Sequence, residues 1–151
     1  MSGSQISQFV KAPPAEVYRS CIDPARIARW RVPDNMTAKV HSFDARVGGG
    51  YRMSLTYRDA AQPAGKTTPD TDTFSGRFIE LVPNTKVVEA IHFETDNPDN
   101  QGEMTLVTSL RVVDGGTEVT MSFENIPPGV RRDDNDEGTR QSLKKLAALF
   151  T

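Results

Sequence analysis

The sequence predicts an α+β domain: an antiparallel sheet of about seven strands, strongly curved, packed against one long C-terminal helix. Three observations carry this. Between residues 36 and 125 nearly every segment alternates apolar and polar side chains and is bounded by turn residues. Residues 135–150 instead repeat at helical spacing, with Leu143, Leu146, Ala147 and Phe150 at i, i+3, i+4 and i+7. Two short proline-opened segments after the first strand read as helices.

Taken in order, residues 6–11 form a short strand that stops at Pro13-Pro14. Proline is at home in the first turn of a helix, where its missing N–H would be unpaired anyway. Residues 15–22 then form a helix with Val17, Tyr18, Cys21 and Ile22 on one face. Asp23-Pro24 repeats the pattern, a capping aspartate before a first-turn proline, and starts a second helix that ends near Trp30.

Strands follow at 36–44, 51–58, 73–82, 86–94, 104–113 and 118–125. Pro83-Asn84 makes one tight turn. Asp114-Gly115-Gly116 makes another, since Asp-Gly between alternating runs is a strong hairpin signal. Residues 62–70 and 96–102 are polar loops rich in turn-forming residues. In the closing helix Asp133, Asp134, Asp136 and Glu137 stand at the N-terminus, where negative charge complements the helix dipole. A straight helix cannot fill a curved sheet along its whole length, so a cavity between them is expected.

The run Gly48-Gly49-Gly50 before the alternation of Tyr51, Met53, Leu55 and Tyr57 is costly to order. It does not fit G-x-G-x-x-G and leads into a strand instead of a helix, which argues against a nucleotide site. Its reading is a strand reversal in which glycine supplies positive φ and a bulge that lets the sheet bend.

Composition narrows the partners. A length of 151 residues suits one domain spanning 1–151. A formal net charge of -2 gives no cationic excess for nucleic acid or an anionic membrane surface. No apolar run approaches the ~20 residues that span a bilayer, and the opening MSGSQISQF lacks the pattern of a secretory signal. The single cysteine, Cys21, fits a reducing, cytoplasmic setting.

Four segments, VKAPPAEVYRSCIDPARIARW, FDARVGGGYRMSL, FSGRFIELVPNTKVV and EGTRQSLKKLAALF, together and in this order resemble the Activator of Hsp90 ATPase homologue 1-like branch of the START-like (SRPBCC) superfamily. The likeness runs from about residue 6 to 150. It implies a helix-grip fold, as in Bet v 1-like proteins, with a seven-stranded antiparallel sheet gripping the C-terminal helix. Members of the family include stress-related and antibiotic-resistance proteins. One departure stands out: Thr139 follows Gly138, where the family usually carries an aromatic residue.

The expected function is binding of a small, largely hydrophobic ligand between the sheet and the last helix. The candidate lining is Trp30, Met53, Tyr57, Phe78, His92, Met121, Leu143 and Phe150, chosen for apolar or amphipathic character on elements that face the cavity in this fold. No cofactor is expected. Two other classes stand beside this reading. One is an enzyme acting on a hydrophobic or polyketide-like substrate, with His92 or Glu94 as acid or base. The other is a protein-interaction module, chaperone-related or a homodimer built through an exposed face of the sheet.

Other candidate chemistry has a plainer explanation. His92 and Glu94 share a strand face, and with His41 they offer zinc-type donors, but no known ligand spacing supports a metal. Cys21 lies on an apolar helix face and is expected to pack in the core rather than act as a nucleophile. Arg52, Arg77, Glu80 and Glu89 are strand charges, most of them expected to point outward; any that point inward need a buried partner.

Overall fold

The computed structural model describes residues 3–58, 67 and 70–150. Strand β1 (Ser4–Val10) leads to helix α1 (Pro14–Cys21) and, after Asp23, to α2 (Pro24–Trp30). Both helices start on proline, which costs them no hydrogen bond in the first turn. Asp23 caps α2 by accepting from the Ala25 N–H at 2.9 Å. At the other end of α2 the Trp30 indole donates to the Ser20 carbonyl at 2.9 Å and so ties the two helices together.

Six strands follow: β2 (Met36–Phe43), β3 (Gly50–Tyr57), β4 (Thr71–Val82), β5 (Lys86–Phe93), β6 (Met104–Val113) and β7 (Gly116–Glu124). Among the described residues they join β1 in a single antiparallel sheet of seven strands, ordered β1-β7-β6-β5-β4-β3-β2. Consecutive strands pair from β2 to β7. The first strand then closes the far side against β7, with Ile6 opposite Met121. Asn84 and Gly115 take the left-handed backbone at φ 62° and 81°, as the Pro-Asn and Asp-Gly turns require.

The curl of the sheet has local causes. The register shifts between Val40 and Ser42 on β2 and between Phe78 and Glu80 on β4, so His41 and Ile79 are bulged residues. A bulge bends its strand and raises the local twist. Both lie next to the glycine run rather than in it, which corrects the expectation that the glycines themselves form the bulge.

Of the three glycines only Gly48 has positive φ, 85°, with nothing within 4 Å of the place a side chain would take. Gly49 and Gly50 are required for a different reason. A Cβ on Gly49 would run into Asp44, and one on Gly50 into the carbonyl of Gly76 on β4. Phe78 exchanges backbone hydrogen bonds with this run, receiving one from the Gly48 N–H and giving one to the Gly49 carbonyl, each 2.9 Å. The reversal is therefore laid directly on the neighbouring strand.

Helix α3 (Arg132–Ala148) packs across β1 and α2. Leu143 and Leu146 are fully buried beneath it, and Asp133 and Asp134 occupy its first turn. It starts three residues before the expected position and ends at Ala148, so Phe150 lies past its end. The segment between α2 and β2 is strapped to α3: the Asp34 N–H donates to the Gln141 amide oxygen at 2.9 Å, and Lys145 pairs with Asp34 at 2.9 Å.

The architecture is the helix-grip arrangement that the resemblance implies. Strand ends differ from expectation by one or two residues, because partner strands rather than local alternation decide where pairing stops. The polar loop 96–102 carries a short 3-10 turn, Pro98–Asn100. Most of the expected loop at 62–70 falls outside the described residues. Among the described residues no helix is long and apolar enough to cross a membrane.

Candidate functional site

Curvature leaves a cavity of about 410 Å³ between the sheet and α3, within the usual size of small-molecule sites, roughly 300–1,000 Å³. Six strands supply its apolar wall, through Met36 on β2, Leu55 on β3, Phe74 on β4, Ile91 and Phe93 on β5, Leu106 on β6 and Phe123 on β7. Helix α3 supplies the opposite wall through Asn135, Gly138, Thr139 and Ser142. Thr139, in the position of the family's usual aromatic residue, is a wall residue, and its hydroxyl is spent on the Asn135 carbonyl at 2.7 Å. A short side chain here leaves room that a large aromatic ring would occupy.

One end of the cavity is made by loops. The Gly129 N–H donates to the Asp99 carbonyl at 2.6 Å, joining the β7–α3 connection to the 3-10 turn. A Cβ on Gly129 would collide with the Asn100 side chain, so the close approach needs glycine. Asn100, Val130 and Arg131 line the cavity on either side of this contact.

The cavity also has buried polar groups. Arg31 lines it while donating to Glu89 Oε1 at 3.0 Å and to the Tyr51 hydroxyl at 2.9 Å. Tyr51 in turn donates to Glu89 Oε1 at 2.5 Å, so a three-membered network closes. The Arg31 guanidinium also stands 5.2 Å from the centre of the Tyr51 ring.

Each side chain has a reason for its place. Arg31 directly follows α2, Tyr51 is seated over Gly76, whose missing side chain makes room for the ring, and Glu89 faces inward from β5. Burial works against the Arg31 charge, yet Glu89 and Tyr51 more than offset it and hold the guanidinium above its ordinary pKa. Burial, reinforced by Glu89, pushes the Tyr51 phenol well up despite the opposing pull of Arg31. Farther along the wall, Tyr57 is also raised, first by burial and then by Asp72 and Asp134.

The sequence candidates divide cleanly. Tyr57 and Met121 line the cavity. Trp30, Met53, Phe78 and Leu143 are buried in the surrounding core and do not line it. Phe78 packs against Phe43 and Tyr51, with ring centres 5.6 and 5.7 Å apart. Phe150 packs on the core from beyond α3, only partly buried. His92 is exposed: its neighbours Ile91 and Phe93 face the cavity, and strand alternation turns His92 to the other side.

Glu94 receives two hydrogen bonds from Arg52, at 2.7 and 3.0 Å. That pairing, together with His92 and His41 nearby, holds its carboxyl below the usual carboxylate range. His41 bonds the Ser54 hydroxyl at 2.7 Å. Among the described residues no three His, Cys, Asp or Glu side chains are placed to hold a metal ion.

Of the four strand charges singled out, Arg52, Arg77 and Glu80 point outward and pair with Glu94, Glu103 and Lys86. Glu89 is the inward exception, 3% exposed. Its partner Arg31 escaped sequence reasoning because it belongs to no periodic element. Cys21 is buried, and burial, with Glu89 adding to it, pushes its thiol up to about 12. It is no thiolate nucleophile.

Comparison with known proteins agrees with the fold. A Chromobacterium violaceum protein of solved structure is 31% identical, with a TM-score of 0.86 over 99% of this chain and 96% of that one. Structures from Arthrobacter aurescens and Mycobacterium smegmatis share the fold at 16% and 18% identity, with TM-scores of 0.81 and 0.76. They cover 98% and 99% of this chain, and 85% and 90% of their own. No curated protein matches the sequence. The family model described as Activator of Hsp90 ATPase homolog 1-like protein matches residues 11–151, and the chain belongs to that family.

Proposed function

We propose that this protein binds a small, largely hydrophobic molecule between the curved sheet and α3. The observation that carries the reading is the cavity of about 410 Å³, whose wall is built from apolar side chains on six adjacent strands. Tyr57 and Met121 are the residues expected from sequence that take part in it; Leu55, Phe74, Ile91 and Phe93 join them. Removing such surfaces from water supplies the affinity, about 25 cal/mol for each Å² of apolar area buried, less the cost of immobilising the ligand.

The enzyme reading loses its named acid and base, because neither His92 nor Glu94 faces the cavity. A cytoplasmic setting and a single domain over 1–151 belong to the same proposal.

Thermal unfolding against lipids and polyketide-like aromatics tests it. A ligand that binds only the native state at 100 times its Kd adds about 2.7 kcal/mol of stability, so at least one compound is expected to raise Tm in a concentration-dependent way. A panel without any such shift, or shifts that survive when Met121→Trp fills the cavity, would overturn the reading.

A further inference from the structure

Arg31 lies where the wall contributed by the α2–β2 segment meets α3. Its guanidinium gives one hydrogen bond to Glu89 and one to Tyr51, and its remaining N–H groups make none among the described residues. Ser142, on α3, is 6% exposed and lines the same cavity. Its hydroxyl also makes no hydrogen bond among the described residues. Both line the cavity, and the segment that follows Arg31 is strapped to α3 at Gln141 and Lys145, on either side of Ser142. Asn135, two turns earlier on α3, adds a buried Nδ2, and Asn100 at the loop end a buried Oδ1, neither with a partner among the described residues.

The Arg31 guanidinium and the Asn135 amide nitrogen are donors, and the Ser142 hydroxyl can donate as well as accept. Buried donors are nearly always satisfied, and donors that face the cavity without a protein partner among the described residues fit an acceptor supplied by the occupant. The charge balance says which kind. Glu89 already offsets the Arg31 charge, and Arg131 and Asp134, which also line the cavity, are a cation and an anion at the exposed rim. An anionic group gains little in such surroundings and loses its hydration. A neutral oxygen acceptor gains the hydrogen bonds at much lower desolvation cost.

We infer that the cavity selects hydrophobic molecules bearing a neutral carbonyl-type oxygen, held by the Arg31 guanidinium and the Ser142 hydroxyl, over hydrocarbons and over carboxylates. The inference rests on the cavity being a ligand site, and Glu89 and Tyr51 act in it as positioning residues that aim the guanidinium. Arg31 and Ser142 thus give the apolar pocket an orientation: the oxygen lies toward α3 and the apolar body along the sheet.

Two matched probe sets test it by calorimetry on the full chain: 2-acetylnaphthalene, 2-ethylnaphthalene and 2-naphthoate, and 2-undecanone, undecane and undecanoate. In at least one set the ketone is expected to bind about tenfold more tightly than its hydrocarbon, the range of a hydrogen bond to a charged donor. It should also bind more tightly than the carboxylate. Ser142→Ala, which removes no internal hydrogen bond, should cut ketone affinity about fivefold, the size of one hydrogen bond, and leave the hydrocarbon unchanged. Equal binding of ketone and hydrocarbon, or an unchanged ketone preference in Ser142→Ala, overturns the oxygen subsite and leaves the apolar cavity standing. Preferred binding of the carboxylate overturns the neutral-acceptor assignment. If no probe in either set binds, the cavity reading falls together with this one.

Discussion

Arg31 and Glu89 are 58 positions apart in the chain, yet they meet at 3.0 Å, with side chains only 13% and 4% exposed. Tyr51 bridges both, so a charge pair that burial would ordinarily make costly gains a third hydrogen-bonded member.

Removing one member should therefore cost more than removing both. Glu89→Gln strands a buried guanidinium and is expected to destabilise the protein by about 3–5 kcal/mol. The double variant Arg31→Met/Glu89→Leu should lose less than the sum of its single changes. Urea unfolding of the four proteins in the cycle measures the coupling, and additive losses would show that the pair is not coupled.

The grip of α3 rests on two fully buried leucines, Leu143 and Leu146. Leu146→Ala should cost about 2–5 kcal/mol by lost burial and the void left behind. The exposed Lys144→Ala on the same helix should stay within about 0.5 kcal/mol of wild type. Denaturant midpoints separate the two results.

The glycine run predicts an order of damage. Gly48→Ala meets open space and carries only the strain of positive φ, about 1 kcal/mol. Gly50→Ala drives a methyl group into the Gly76 carbonyl, a backbone atom that cannot rotate away. The Gly50 variant should have the lower Tm of the two; equal losses would mean that contact with β4 is not what requires glycine.

Glu94 predicts a modest acid effect. Its folded pKa is depressed, first by the Arg52 hydrogen bonds, so its contribution is complete above the unfolded value of roughly 4.3. It is lost as pH falls through the lower folded value. Both partners are more than a third exposed, so solvent screening keeps the effect below about 1 kcal/mol. Glu94→Gln should be slightly less stable than wild type at pH 7, and the gap should close below about pH 4. Paired denaturation curves across pH 3–7 check the sign.

Cys21 should resist thiol reagents in the native protein at pH 8, because its pKa of about 12 leaves almost no thiolate and its surroundings exclude the reagent. Labelling should appear with urea at the unfolding midpoint. Fast native labelling would contradict its burial.

The sequence by itself determined the order and kind of the elements. Pro14, Asp23-Pro24, Asp114-Gly115 and the spacing of Leu143 and Leu146 act within a few residues of chain, through φ restriction, capping and periodicity, and these are legible without a partner. Even the inward Glu89 was visible as a charge in need of an answer.

Tertiary structure decided the rest. Which face of β5 points inward depends on register, and pairing turned Ile91 and Phe93 to the cavity and His92 away from it. Trp30, Met53, Phe78 and Leu143 have the composition of a ligand wall but became core. Whether an apolar side chain meets another or meets open space is set by the separation of sheet and helix, which no local pattern encodes. Arg31 and Ser142 came to line one cavity only when the segment after α2 was strapped to α3. Their chemistry depends on proximity across more than a hundred residues, a distance in sequence that only folding removes.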